Sequence, residues 1–181
     1  MFPTWDSDLF QLINQAHQPW LDQPMVIISG KLTWIPLYAF LIYRLYKEHK
    51  SKVWKTILYL ISTVIFADQV SSSILKPLFK RLRPCHLEVF QSWIHLPDGC
   101  GGLYGFCSSH SANAFAVAFG FYFLSKNRPM GAILIVWATL IAYSRIYLGA
   151  HYPLDVIMGA IVGAIGAFTL FQAYAKLTKK S

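Results

Sequence analysis

Acidic residues are scarce in this chain. Eight Asp and Glu are scattered through 181 residues, so no cluster of carboxylates is available to hold a pair of metal ions. Charge of either sign is also thin, at 13% of residues against about a quarter in a typical soluble domain. Hydrophobic residues make up 55%, more apolar surface than one small core can hide, which excludes an ordinary water-soluble domain. The first twenty residues have no Lys or Arg and do have Asp6 and Asp8, so no cleavable leader with a basic start is expected.

What the chain has in abundance is long apolar runs. Five stretches reach or approach the roughly 20 residues that a helix needs to cross hydrocarbon: Met25 to Tyr46, Trp54 to Leu75, Phe106 to Leu124, Met130 to Leu148 and Pro153 to Ala175. They predict an all-α, polytopic transmembrane bundle of five spanning helices in one domain, residues 1–181. Ahead of them, Asp6-Ser7-Asp8 can cap a short helix in which Leu9, Leu12, Ile13 and Ala16 recur at helical spacing. It ends near Pro19, is too short to span, and suits either the interface plane or a packed terminal position.

The net charge of +8 falls in short basic runs between apolar stretches, which argues for membrane lipids as partners and against nucleic acid. Arg44, Lys47, Lys50, Lys52 and Lys55 follow the first span, Lys126 and Arg128 the third, and Lys176, Lys179 and Lys180 close the chain. By the positive-inside rule these ends are cytoplasmic, which puts the N-terminus outside and the C-terminus inside. The connections 76–105 and 144–152 then share the outer face. Lys76, Lys80, Arg81 and Arg83 run against the rule there, which an anionic ligand would explain. Contact with lipid headgroups is adequate for Lys80 and Arg81.

Three polar clusters lie on that face. Pro77 stops the second span at Lys76, and Arg83, held by Pro84, follows after a short turn; a point charge and a planar fork can share one anion. Alone, such residues commonly snorkel to the membrane surface. Cys107-Ser108-Ser109-His110 opens the third span, where a capping serine and free N–H groups can form an anion site; taken alone, the segment reads first as Ser108 and Ser109 capping the helix beside an interfacial His110. Arg145 ends the fourth span, His151 precedes Pro153, and Asp155 lies in the first turn of the fifth. Asp155 can bond one nitrogen of His151 and leave the other as nucleophile or base, or it can serve as a helix-start charge.

These residues resemble the type 2 phosphatidic acid phosphatases, a family that shares its phosphate site with vanadium haloperoxidases and bacterial acid phosphatases. The family pattern is Lys, six residues, Arg-Pro; then Pro-Ser-Gly-His; then Ser-Arg, five residues, His, three residues, Asp. Lys76 to Arg83-Pro84 and Ser144-Arg145 to His151 to Asp155 match in identity and spacing, while the middle motif keeps Ser108 and His110 but has Cys107 for Pro and Ser109 for Gly. The motif-bearing part is 76–155. The resemblance implies that His151 attacks phosphorus, Asp155 orients it, and His110 protonates the leaving oxygen. It also implies that Lys76, Arg83, Arg145, Ser108 and Ser109 hold the phosphate oxygens without metal or other cofactor. Among family members, a small chain with an outer site is most similar to bacterial undecaprenyl diphosphate phosphatases of the inner membrane. Phosphatidic acid, phosphatidylglycerophosphate and lipid A 1-phosphate are alternative substrates, and a non-catalytic lipid or anion carrier is the alternative of another class.

Other features point to packing. Asp68 and Gln69 with Ser71, Ser72 and Ser73 suit interhelical hydrogen bonds, and Gly159, Gly163 and Gly166 with neighbouring alanines suit close helix approach without requiring a dimer. Leu87, Val89, Phe90, Trp93, Ile94 and Leu96 are expected at the membrane surface, where they could guide a lipid tail. Cys85 and Cys100 flank that segment on the oxidising side and could be joined; Cys107 is left over.

Overall fold

Proline, glycine and polar caps set the limits of the helices. The computed structural model describes residues 2–125 and 127–179, so Lys126 and Lys180, two of the cations used above to orient the chain, lie outside the described residues. Eight α-helices are present among them: α1 (Thr4–Gln15), α2 (Pro19–Ser29), α3 (Ile35–His49), α4 (Val53–Asp68), α5 (Lys76–Phe79), α6 (Ser109–Leu124), α7 (Arg128–Tyr147) and α8 (Pro153–Lys179). Pro19 and Pro153 open α2 and α8, where the N–H that proline lacks would have no partner in any case. Asn127 caps α7 by accepting the Met130 N–H at 3.1 Å.

Helices α6 and α8 form the centre, with α4 and α7 around them. Small residues make that approach possible. A Cβ on Gly159 would lie 2.5 Å from the Ser108 carbonyl oxygen, and one on Gly163 would lie 2.4 Å from that of Ala112. The side of α6 that faces α8 carries buried Ala112 and Ala116, while Ala114 and Ala118 are buried on its other side in the cluster with Tyr59 and Leu134. Outward-facing Leu58, Ile61 and Ile65 on α4, Ile133, Val136 and Leu140 on α7, and Ile157, Ile161 and Ile165 on α8 remain exposed, as expected of surfaces solvated by lipid. Among the described residues, three stretches are long and apolar enough to cross a membrane: Leu32–Phe79, Arg128–Tyr147 and Pro153–Thr178. The first comprises two rods, α3 and α4, packed together after a turn at Lys50–Lys52 in which Lys50 has φ +46°. At 16 residues, α6 is about 24 Å long and owes its place to burial by its neighbours.

Several local expectations change. The run from Met25 to Tyr46 is broken, because Gly30 is extended and Pro36 in the first turn of α3 favours a fresh start. Pro19 begins a helix instead of ending one. Asp6 makes no capping bond; it is fully buried inside the first turn of α1, whose other inner residues are Phe10 and Asn14. Pro77 does not end the second span at Lys76. A π-helical segment, Gln69–Leu75, widens the backbone ladder, and helical structure continues to Phe79 before Lys80 turns left-handed at φ +46°. In the segment 87–96, Phe90 is buried and Leu87, Trp93 and Ile94 are partly buried against the cluster of Phe10, Ile146 and Tyr152, so these side chains turn inward; of the residues named above only Val89 is strongly exposed. Cys85 and Cys100 are joined by a disulfide, and Cys107 is a buried free thiol.

Candidate active site

The site is assembled where four chain segments end on one side of the bundle. The π segment brings Lys76 to face α6, so that its ammonium donates to Ser109 Oγ at 2.9 Å, an oxygen that also accepts Ser71 Oγ at 3.0 Å. Deeper in the same interface, Asn113 Nδ2 donates to Asp68 Oδ1 at 3.0 Å, the interhelical bond expected for this acid. The chain then crosses from Lys80 to Tyr104 and pairs with itself: the Arg83 N–H donates to the Leu103 carbonyl at 3.1 Å, and the Gly105 N–H to the Arg81 carbonyl at 2.8 Å. That pairing holds Arg83 over the α7–α8 turn, with Nη1 3.4 Å from the Ala150 carbonyl.

Ser108 caps α6 through the Ser111 N–H at 3.4 Å, and its own N–H donates to the Asp155 carbonyl at 2.9 Å, which fastens the start of α6 to the start of α8. The first-turn N–H groups of α6 therefore open beside the α8 start. Between α7 and α8, Gly149 adopts φ +71° and returns the chain so that His151 points inward, 1% exposed. His151 Nδ1 lies 3.4 Å from Asp155 Oδ2, which also accepts the Tyr152 N–H at 3.1 Å. With Nδ1 facing a carboxylate, Nε2 is the nitrogen left with a lone pair.

Electrostatics join the three clusters. Burial pushes the His151 imidazole well below its ordinary value, and the positive charges of Arg83, Arg145 and Lys76 act in the same direction. Both effects favour the neutral imidazole inside a ring of cations. Burial likewise lowers the Arg83 guanidinium, partly offset by Asp155. His110, in the first turn of α6, lies within electrostatic reach of Arg145, His151 and Lys76. Buried His151 and half-buried His110 among three cations are suited to an anion with high charge density. Beside it opens a cavity of about 350 Å³ lined by Ser72, Lys76, Lys80, Arg83, Leu103 and Tyr104.

Sequence reading missed four participants and misread one. Arg81 is not a headgroup contact: it is 9% exposed, with Nη1 2.8 Å from Asp155 Oδ1 and Nη2 2.5 Å from Asp6 Oδ2. Asp6 belongs to this group, and Ser29, at the end of α2, accepts a hydrogen bond from Arg145 Nη1. Gly105 covers the dyad, since a Cβ there would lie 2.9 Å from Asp155 Oδ2 and 3.6 Å from His151 Nδ1. Gly101 similarly leaves room for Arg83, its Cβ position being 3.1 Å from Nη1. The one available signal was the cost of burying charge in so apolar a chain, which marks Arg81 and Asp6 without pairing them. Among the described residues, one group of three metal-ligand side chains occurs, Cys85, His86 and Cys100, and its two sulfurs are bonded to each other.

A family model described as PAP2 superfamily matches residues 52–179. The lipid A 4'-phosphatase of Bacteroides thetaiotaomicron is 36% identical over 97% of this chain and 79% of its own length. An undecaprenyl-diphosphatase of Sulfolobus acidocaldarius is 31% identical over 93% of this chain and 78% of its own. The crystal structure of Aquifex aeolicus LpxE superposes with a TM-score of 0.70 at 30% identity, covering 94% of this chain and 96% of that one.

Proposed function

Because this chain belongs to the PAP2 superfamily, we propose that it removes phosphate from a membrane lipid through a phosphohistidine on His151, with the lipid A 4'-phosphate as first substrate. It is a hydrolase with lipid phosphatase relatives. The observation that carries the mechanism is the buried His151 with Nδ1 towards Asp155 and the cations Arg83, Arg145 and Lys76 near it. Its Nε2 attacks phosphorus while the P–O bond to the lipid breaks, and His110 delivers a proton to the departing oxygen. His110 then takes a proton from water, which attacks the phosphohistidine and frees inorganic phosphate and His151. Lys76, Arg83, Arg145 and the Ser109 N–H in the first turn of α6 balance the charge on the transferring group, the role that a metal ion fills elsewhere, while the Ser108 N–H stays on the Asp155 carbonyl and Ser108 Oγ caps the helix.

The lipid A reading is supported by the 36% identity along nearly the whole chain. Undecaprenyl diphosphate is the second reading. A relative named for that activity supports it, as does Lys80, which lines the cavity beside Lys76 and Arg83 and gives a diphosphate one more cation. For topology we keep five spans with the N-terminus outside and the site on the outer face of a bacterial inner membrane. The basic turn Lys50–Lys52, Arg128 and Lys176 all lie at helix ends opposite His151, which supports that orientation.

The test is phosphate release by purified protein, in chelator, from diphosphorylated lipid A, undecaprenyl diphosphate, phosphatidic acid and phosphatidylglycerophosphate. Loss of the 4'-phosphate with the highest kcat/KM is expected, and His151→Ala should abolish it. Preference for undecaprenyl diphosphate would select the second reading. Lipid binding with no release from any substrate would identify a carrier and sink the enzyme.

A further inference from the structure

Asp155 has two carboxylate oxygens, and only one faces His151. Oδ2 lies 3.4 Å from Nδ1, whereas Oδ1 accepts Arg81 Nη1 at 2.8 Å. The other Arg81 nitrogen, Nη2, donates to Asp6 Oδ2 at 2.5 Å, and the second Asp6 oxygen accepts the Leu154 N–H at 2.7 Å, in the first turn of α8. Both carboxylates are fully buried, and the guanidinium lies between the rings of Phe2 and Tyr152, 4.0 and 3.8 Å from their centroids. Both oxygens of the Asp155 carboxylate therefore have fixed partners.

The charges matter as much as the geometry. Arg81 paired with Asp155 alone would neutralise the carboxylate that must support a cationic imidazole once His151 is phosphorylated. Asp6 supplies a second negative charge, so the group of two carboxylates and one guanidinium keeps one net negative charge beside His151. It also sits at the start of α8, where the helix dipole favours an anion. Asp6 lies before residue 52, outside the part of the chain that the family model matches.

We infer that Asp6 and Arg81 are positioning residues: they hold Asp155 with Oδ2 towards His151 and preserve its charge, which makes helix α1 part of the catalytic apparatus. This rests on the phosphohistidine reading above. Asn14 anchors the other end of α1, its Nδ2 donating to the carbonyls of His95 at 3.0 Å and Tyr147 at 2.8 Å, so α1 is tied at two points to the segments around the α7–α8 turn.

The experiment uses the full chain and whichever lipid phosphate the wild type hydrolyses. Asp6→Asn should lower kcat by about 10- to 100-fold with KM within about twofold, because the cation clamp is untouched. Formation of phosphohistidine in a quenched single turnover should slow in proportion. Asp6→Glu should recover part of the rate by restoring charge, and Asp6→Asn combined with Arg81→Gln should cost no more than the worse single change. Rates are taken per folded molecule, from thermal unfolding of each variant. A wild-type phosphorylation rate in Asp6→Asn overturns the inference, as does a loss that vanishes on correction for the folded fraction. A wild type that releases no phosphate sinks the proposed function as well, which separates the two failures.

Discussion

His151 meets two opposing demands: it must be buried to be shielded from water, and it must remain unprotonated among hydrogen-bonding partners that would welcome a proton. Burial and three cations settle the balance, holding its pKa well below the ordinary 6.5. Protonation consequently opposes folding. The stabilisation from this residue is fully present above pH 6.5 and is lost as the pH falls from there towards the depressed folded value. Imidazole ¹⁵N shifts of the resting protein should show a neutral His151 ring at pH 6; an imidazolium signal there would refute the assignment. Gly105 has a different role, since its hydrogen takes the space where a methyl would lie 2.9 Å from Asp155 Oδ2 and 3.3 Å from Arg83 Cγ. Gly105→Ala should push Asp155 or Arg83 aside and lower kcat by about 100-fold, the cost of an ångström-sized misplacement. A variant with the parental rate in the phosphate-release assay would show that the turn can yield.

Helices α6 and α8 depend on what is missing from their side chains. At Gly163 the neighbours of a new Cβ are backbone, Ala112 O at 2.4 Å and Ala116 N at 2.7 Å, and backbone cannot rotate out of the way. Gly163→Val should separate the helices and destabilise the protein by about 1–3 kcal/mol or more, read as a lower Tm in detergent. Because Ser108 N–H bonds the Asp155 carbonyl across this same interface, activity should fall at temperatures below the new Tm. The π segment Gln69–Leu75 illustrates a second dependence of site on element. By widening the ladder ahead of Pro77 it lets the rod run on to Phe79, so Lys76 projects from within a helix towards Ser109.

The molecule as a whole brings Lys76, Arg83 and Arg145 together around His151 at one end of an apolar bundle, and the chemistry should follow from that. Phosphate release should persist in chelator and be inhibited by vanadate, whose five-coordinate geometry resembles the transition state that the clamp must favour. Arg83→Ala should weaken vanadate inhibition and turnover together. Loss of activity in chelator with recovery in Mg²⁺ would overturn the metal-free mechanism. For orientation, single cysteines introduced at Lys50 and at Gly102 should react from opposite sides of intact cells or spheroplasts, with Gly102 outside; labelling of both from one side would contradict the five-span arrangement.

Much of the site was legible because it is written in short-range code. A proline at a helix boundary, a serine at a helix start, and a histidine four residues before an aspartate are local patterns, so the candidate site residues from Lys76 to Asp155 could be named, and the α6–α8 glycines recognised, without coordinates. The partners that hold those residues in place are another matter. Arg81 meets Asp6 across 75 residues, and Arg145 meets Ser29 across 116. In the linear chain Arg81 is indistinguishable from Lys80, its neighbour, since both are cations after a membrane helix. Folding separates them, because the left-handed turn at Lys80 leaves one exposed and aims the other between two rings and two carboxylates. Local patterns specify helices and the side chains at their ends, whereas long-range packing selects which buried charges become partners.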